Sequence, residues 1–329
     1  RSIIILAIIL GLSIGNLAIF TSSYAEDEVP SIYFSDVWFN VETQVATLTI
    51  ENHSDTDMVL SAYCSPAATE GVTLNVDGEA VDMLLIEANS TYDFVENNAA
   101  FTFEGLAQPL EQGDAVPLLL TFDHADDDME HHAERMDDCY PYDQMGMDEM
   151  SDDMDGHMDD HMDEMHVHQQ FLLGVPALEV APPEVGVVVL SSWVRPQAPI
   201  TAAYVTFYNP TDEDIVLVGV SSPVATVGEM HTVMMENDVM QMRPVEQFVI
   251  PAGEKFELMP GGNHFMLIDV TDPDQLAEGL AVPLVLVFED GTELTIGVPV
   301  LSAPFGDDMG NMDNMDMEHG HDGDMGHSE

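Results

Sequence analysis

Ala202-Ala203-Tyr204-Val205-Thr206-Phe207-Tyr208-Asn209 is a run of small, β-branched and aromatic residues that stops at an asparagine. It predicts a strand closed by a turn. Val45-Ala46-Thr47-Leu48-Thr49-Ile50-Glu51-Asn52 repeats that pattern in the first half of the chain. The neighbourhoods match as well, in the same order. Val37-Trp38-Phe39 resembles Ser192-Trp193-Val194, and Cys64-Ser65-Pro66-Ala67 resembles Ser221-Ser222-Pro223-Val224. Gly113-Asp114-Ala115-Val116-Pro117-Leu118 resembles Gly279-Leu280-Ala281-Val282-Pro283-Leu284. Short strands of this kind, bounded by Asn, Asp, Gly and Pro, predict an all-β chain of two β-sandwich domains, of which the first is a degenerate copy of the second. The expected bounds are 29–123 and 184–302.

The second half carries an ordered set of soft ligands. His231, Met242, His264 and Met266 stand at His-x10-Met-x21-His-x-Met spacing and offer two imidazoles and two thioethers. That set suits a soft monovalent metal, above all Cu(I). His264 and Met266 are two residues apart, so on a strand they share a face. His231 and Met242 are equidistant from the Glu236/Asn237 junction, and a hairpin turning there sets them directly opposite each other. Met230, Met234, Met235, Met240 and Met259, nearby, are expected to pack as core filler. Met240 shares a face with Met242 and is the natural reserve ligand.

These four residues, with Ser222-Pro223-Val224, Met240-Gln241-Met242-Arg243-Pro244-Val245, Pro251-Ala252-Gly253 and Pro260-Gly261-Gly262, closely resemble the PCu(A)C periplasmic copper chaperones, from roughly residue 184 to 300. The resemblance implies a cupredoxin-like sandwich that carries Cu(I) toward an acceptor protein, such as an oxidase subunit or assembly factor at the dinuclear copper site of cytochrome c oxidase. Its ligands fall on His231, Met242, His264 and Met266. In the first half, aligning Phe101 with Phe265 puts Ala100 at the place of His264 and Thr102 at that of Met266, while Leu74 or Asn75 stands near that of His231. No comparable copper site is expected there.

Two further segments use the same ligand types without a strand pattern. Residues 124–170 form an expected linker, and His124 to His168 within it holds seven His and nine Met among Asp and Glu; a tail over 303–329 repeats the composition. With few other large apolar residues and dense negative charge, both are expected to be disordered, binding several Cu(I) or Cu(II) ions as tethers beside the folded site. An EF-hand aligned on Gly156 fails, because Ser151 and Met162 take ligand positions. A copper buffer or resistance protein acting through these segments is the alternative function.

The remaining features set compartment and exclusions. The apolar run from Ile3 to Phe20 followed by Ser23-Tyr24-Ala25 reads as a signal peptide, 1–25, directing the chain to the periplasm or another extracytoplasmic space; membrane contact is expected only if it stays uncleaved. Sixty-two acids against five bases, a formal charge of −57, exclude nucleic acid as a partner and suit a salty surrounding that screens self-repulsion. No nucleophile with a base stands out, so the chain reads as a non-enzyme. Cys64 and Cys139 are open to a disulfide or to free thiols. Neither lies in the second half, which excludes a cysteine-ligated blue-copper centre there.

Overall fold

The computed structural model describes residues 31–107, 109–125, 169–236 and 239–304. The expected signal peptide and tail, and nearly all of the linker, lie outside the described residues. No helix of the described residues is long and apolar enough to cross a membrane. The chain is all-β, in two sandwiches. The first half holds β1 (Ile32–Asn40), β2 (Val45–Asn52), β3 (Met58–Cys64), β4 (Gly71–Val76), β5 (Glu79–Val81), β6 (Leu84–Ile86), β7 (Ser90–Asp93), β8 (Ala99–Glu104), β9 (Ala115–His124) and β10 (Gln169–Leu178). The second holds β11 (Val188–Val194), β12 (Ile200–Tyr208), β13 (Ile215–Ser221), β14 (Ala225–Glu236), β15 (Val239–Pro244), β16 (Phe248–Ile250), β17 (Lys255–Glu257), β18 (His264–Val270), β19 (Ala281–Phe288) and β20 (Glu293–Pro299).

The two halves pair their strands in the same order. In the first, β1-β2-β8-β4-β5 with β7 on β2 forms one layer, and β6-β3-β9-β10 forms the other. In the second, β11-β12-β18-β14-β15 with β17 on β12 faces β16-β13-β19-β20. Strand β10 follows the linker in sequence yet closes the first sandwich, pairing along β9 from Gln169 opposite Phe122 to Pro176 opposite Ala115.

Alternation explains why these residues form two-layered sheets. Along β18, Phe265 and Leu267 are fully buried with Ala203, Val205 and Phe207 of β12, while His264 and Met266 point to the other face. Strands β9 and β19 read as near-continuous apolar runs because they lie in the middle of their layers. The asparagines that end β2 and β12 are buried corner pieces. Asn209 Nδ2 donates to the carbonyls of Glu213 (2.8 Å) and Ile250 (3.1 Å), and its Oδ1 accepts from the Thr211 amide and hydroxyl. Asn52 does the same with Thr56, Ile86 and Ser54.

The sandwiches meet edge to edge. Gly174 of β10 pairs with Gly297 of β20, which makes the β6-β3-β9-β10 layer continuous with β20-β19-β13-β16. Tyr33 and Tyr208 stack across the same junction at 5.7 Å. Cys64, at the end of β3, is disulfide-bonded, and Cys139, the chain's other cysteine, lies outside the described residues.

Candidate metal centre

The four sequence-predicted ligands fall on one face of the β11-β12-β18-β14-β15 sheet, the face turned away from the sandwich core. His231 of β14 is directly opposite His264 of β18, with ring centroids 5.7 Å apart. Met266 follows two residues after His264 on the same face, opposite Ala202 of β12, whose small side chain leaves room above it. The hairpin register differs from expectation. The last pair of the hairpin is Glu236 opposite Val239, so His231 faces Pro244 and Met242 faces Val233. The offset is two residues in the pairing, which conserves the face. Met242 therefore stands diagonally from His231 rather than opposite it, still on the ligand side, and its side chain is 61% exposed.

Each imidazole has one ring nitrogen beside an acceptor oxygen. His264 is buried, and its Nδ1 lies 3.0 Å from the Gly262 carbonyl oxygen. A carbonyl only accepts, so the proton sits on Nδ1 and Nε2 is left bare. His231 Nε2 is 2.8 Å from a carboxylate oxygen of Glu229, which likewise places the proton on that nitrogen in the neutral ring. Its other nitrogen, Nδ1, is buried and has no hydrogen-bond partner. An unsatisfied buried acceptor costs about 1–3 kcal/mol, a loss that a bound cation reverses. Burial, before any other cause, holds the His264 pKa below its usual value, and the neighbouring His231 and Arg195 push the same way against the Gly262 bond. The ring is kept neutral, the form that binds metal.

A wall of rings backs this pair. Tyr204 lies 6.4 Å from His264 and 4.6 Å from Trp193, and Arg195 sits over both aromatic rings at 5.5 and 5.8 Å. Burial raises the Tyr204 phenol, which therefore stays neutral, although Arg195 opposes the shift. Leu301 and, from the first half, Leu172 pack on the same wall.

Sequence reasoning missed Glu229 and Gly262, the two acceptors that fix the imidazoles. Glu229 stands two residues before His231 on β14, the spacing that puts neighbours on one strand face, and is directly opposite Met266, whereas Gly262 lies just before β18 and offers its backbone carbonyl. Loss of an outer partner that orients a metal-ligating histidine typically costs 10–100-fold in metal affinity. Glu229→Ala should therefore weaken Cu(I) binding by about 10–100-fold. Glu229→Gln, which keeps an acceptor, should lose less, and chelator competition reads both. Equal affinity in all three proteins would remove Glu229 from the site.

Of the five neighbouring methionines, Met230 is buried in the core as expected, and Met259 is half-buried. Met234, Met235 and Met240 are exposed, against the packing expectation. Beyond His231, β14 pairs among the described residues with β15 alone, so these residues stand on a two-stranded ribbon that no other described strand covers. A cleft of about 360 Å³ between the two halves, lined by Phe34, Leu173, Val187 and Ile296 with Asp36 and Glu184, is a separate feature. Its lining includes no histidine, methionine or cysteine.

Solved structures similar to the chain include the copper-bound PCuAC domain from PmoF2, at 22% identity over 36% of this chain and 94% of that one, with a TM-score of 0.30. Apo-DR1885 from Deinococcus radiodurans is 28% identical, over 46% and 97%, with a TM-score of 0.32. The chain is 32% identical over 117 residues to "Putative lipoprotein Lxx21020" of Leifsonia xyli subsp. xyli (strain CTCB07), which covers 35% of this chain and 69% of the relative. A family model described as "Putative lipoprotein LpqE-like" matches residues 32–129 and 180–300, taking in β1 to β9 and β11 to β20 and leaving out residues 130–179 with β10. The chain belongs to the LpqE-like family.

Proposed function

We propose that the second sandwich binds one Cu(I) through His231, Met242, His264 and Met266 and passes it to an acceptor protein outside the cytoplasm. The carrying observation is the adjacent histidine pair, each ring oriented by an acceptor on one nitrogen and bare on the other, with two methionines on the same face. Neutral imidazoles and thioethers hold Cu(I) without a thiolate, which would be open to oxidation in that compartment. The site lies on an outer sheet face beside an exposed ribbon, where a partner can reach it and exchange ligands. The dinuclear copper site of cytochrome c oxidase is the acceptor that the PCu(A)C resemblance suggests. Binding and hand-over, with copper as cargo, require no catalytic step. The lipoprotein descriptions of the family and of the Leifsonia relative support an envelope location.

The first half we read as a degenerate copy retained for docking or spacing. Its equal strand order supports this, and so does its register. Asn75 faces Ala100 where His231 faces His264, and Thr102 faces Val45 where Met266 faces Ala202. Asn75 Nδ2 donates to Thr102 Oγ1 at 3.2 Å, a hard pair with no soft ligand. The linker and tail, outside the described residues, would collect copper more weakly.

The test is Cu(I) titration of the full chain against a competing chelator, followed by X-ray absorption. One equivalent held against the chelator in a mixed nitrogen and sulfur shell is the expected result. A shell of sulfur alone, or no equivalent retained, rejects the four-residue site.

A further inference from the structure

The exposed end of the β14-β15 hairpin carries a second arrangement of sulfurs. From Thr232 to Pro244 the two strands contain four methionines and no leucine, isoleucine or aromatic residue. Met235 and Met240 are directly opposite each other, so their Cβ atoms lie about 4.5–5.5 Å apart on one face. That face is the one that carries Met242 and His231, since each is an even number of residues along its strand. Met235 and Met240 are 67% and 68% exposed.

Packing does not account for this choice of residue. The ribbon projects past β18, whose pairing with β14 ends at His231 opposite His264, and among the described residues no other strand pairs with it there. An exposed apolar side chain gains nothing from burial there, and a methionine at such a place is open to oxidation to the sulfoxide. What methionine offers over leucine is a neutral thioether that does not titrate and that prefers a soft cation. Two thioethers from a cross-strand pair converge on one point above the sheet. Met242, two residues from Met240 and so about 7 Å along the strand, stands between this point and the histidine pair.

We propose that Met235 and Met240 form a second, thioether-only site for a soft monovalent cation at the tip of the hairpin, with Met242 as the step that links it to the histidine pair. Cations are drawn to a chain of formal charge −57. Two thioethers hold Cu(I) less tightly than two thioethers with two imidazoles, so a cation arriving at the tip moves inward. The tip is the entry port, and its weaker hold keeps it from competing with the inner site. This inference rests on the proposed function for the inner site and for Met242, while the tip site itself is Met235 and Met240, which the four-ligand site does not use.

The experiment uses the full chain labelled with 13C at the methionine ε-methyl groups and with 15N in the histidine rings, titrated with Ag(I), a redox-inert soft monovalent cation. Single leucine substitutions assign the signals. The expected result is that the Met235 and Met240 methyl signals move together, at a higher Ag(I) concentration than those of Met266 and the His264 ring. Met240→Leu should abolish the shift of Met235 and leave the His264 response unchanged. The proposal is overturned if the two signals keep their metal-free positions after every other responding methionine has saturated, or if Met235 still shifts in Met240→Leu. Failure of the chaperone reading looks different, because His264 and Met266 would then stay unmoved whatever the tip does.

Discussion

Replacing His264 with alanine should cost the protein its tight Cu(I) site, a larger loss than the roughly 10–100-fold that follows removal of an outer partner. In the proposed site His264 would supply the better oriented nitrogen. Its Nδ1 proton is held by the Gly262 carbonyl, burial keeps the ring neutral, and Nε2 has no other task. Its side chain lies on the outer face, outside the apolar core cluster of the second sandwich, so the fold should survive the change. Met242→Leu is the companion variant, because it removes the sulfur with little change in volume. It should weaken binding through the lost ligand alone. The linker and tail bring their own methionines and histidines, so total copper bound is a poor measure. The readout is the single equivalent retained against a chelator strong enough to strip weaker ligands, with circular dichroism to show that the sheets remain. A double variant, His264→Ala with Met242→Leu, that still retained the equivalent would place the copper elsewhere.

Much of this was legible in the sequence, and the failures have physical reasons. The strands were readable because apolar and β-branched runs alternate with turn residues, and the site because its residues keep the period-2 rule along β18. The hairpin register was misplaced because ligand positions, rather than turn chemistry, were used to find the turn. The strands pair up to Glu236 opposite Val239, a register that puts Pro244 opposite His231. The error cost little, since an even slip keeps every side chain on its face. Strand β10 went unassigned because Gly174 and Pro176 interrupt its run and because it follows a long acidic segment. Its place in the first sandwich is a long-range pairing with β9 that no local pattern announces. The exposure of Met234, Met235 and Met240 was equally hidden, because it depends on where β18 stops.

Gly174→Val should separate the two sandwiches. A Cβ placed at Gly174 would lie on the carbonyl group of Gly297 and 2.6 Å from the Val298 nitrogen. One placed at Gly297 would lie 2.5 Å from the Gly174 carbonyl carbon. The obstructing atoms in both cases are backbone, which cannot swing aside as a side chain does, so β10 and β20 must move apart. Overpacking of ordinary side chains costs about 1–3 kcal/mol, and here the only relief is to give up the pairing itself. Each sandwich has its own apolar core, so both halves should stay folded while the junction opens. Calorimetry should therefore resolve two unfolding transitions where the intact junction is expected to give one, and small-angle scattering should report a larger radius of gyration than that of the native chain. Gly219→Ala is the control, because its Cβ would meet Val287 Cβ at 3.4 Å, an ordinary contact, within β13 and away from the junction. Leu172 of β10 packs on the Trp193 and Tyr204 wall beside His264, so opening the junction should also loosen that wall. A Gly174→Val protein with unchanged shape and a single transition would show that the Gly174–Gly297 crossing is incidental and that other contacts hold the halves together.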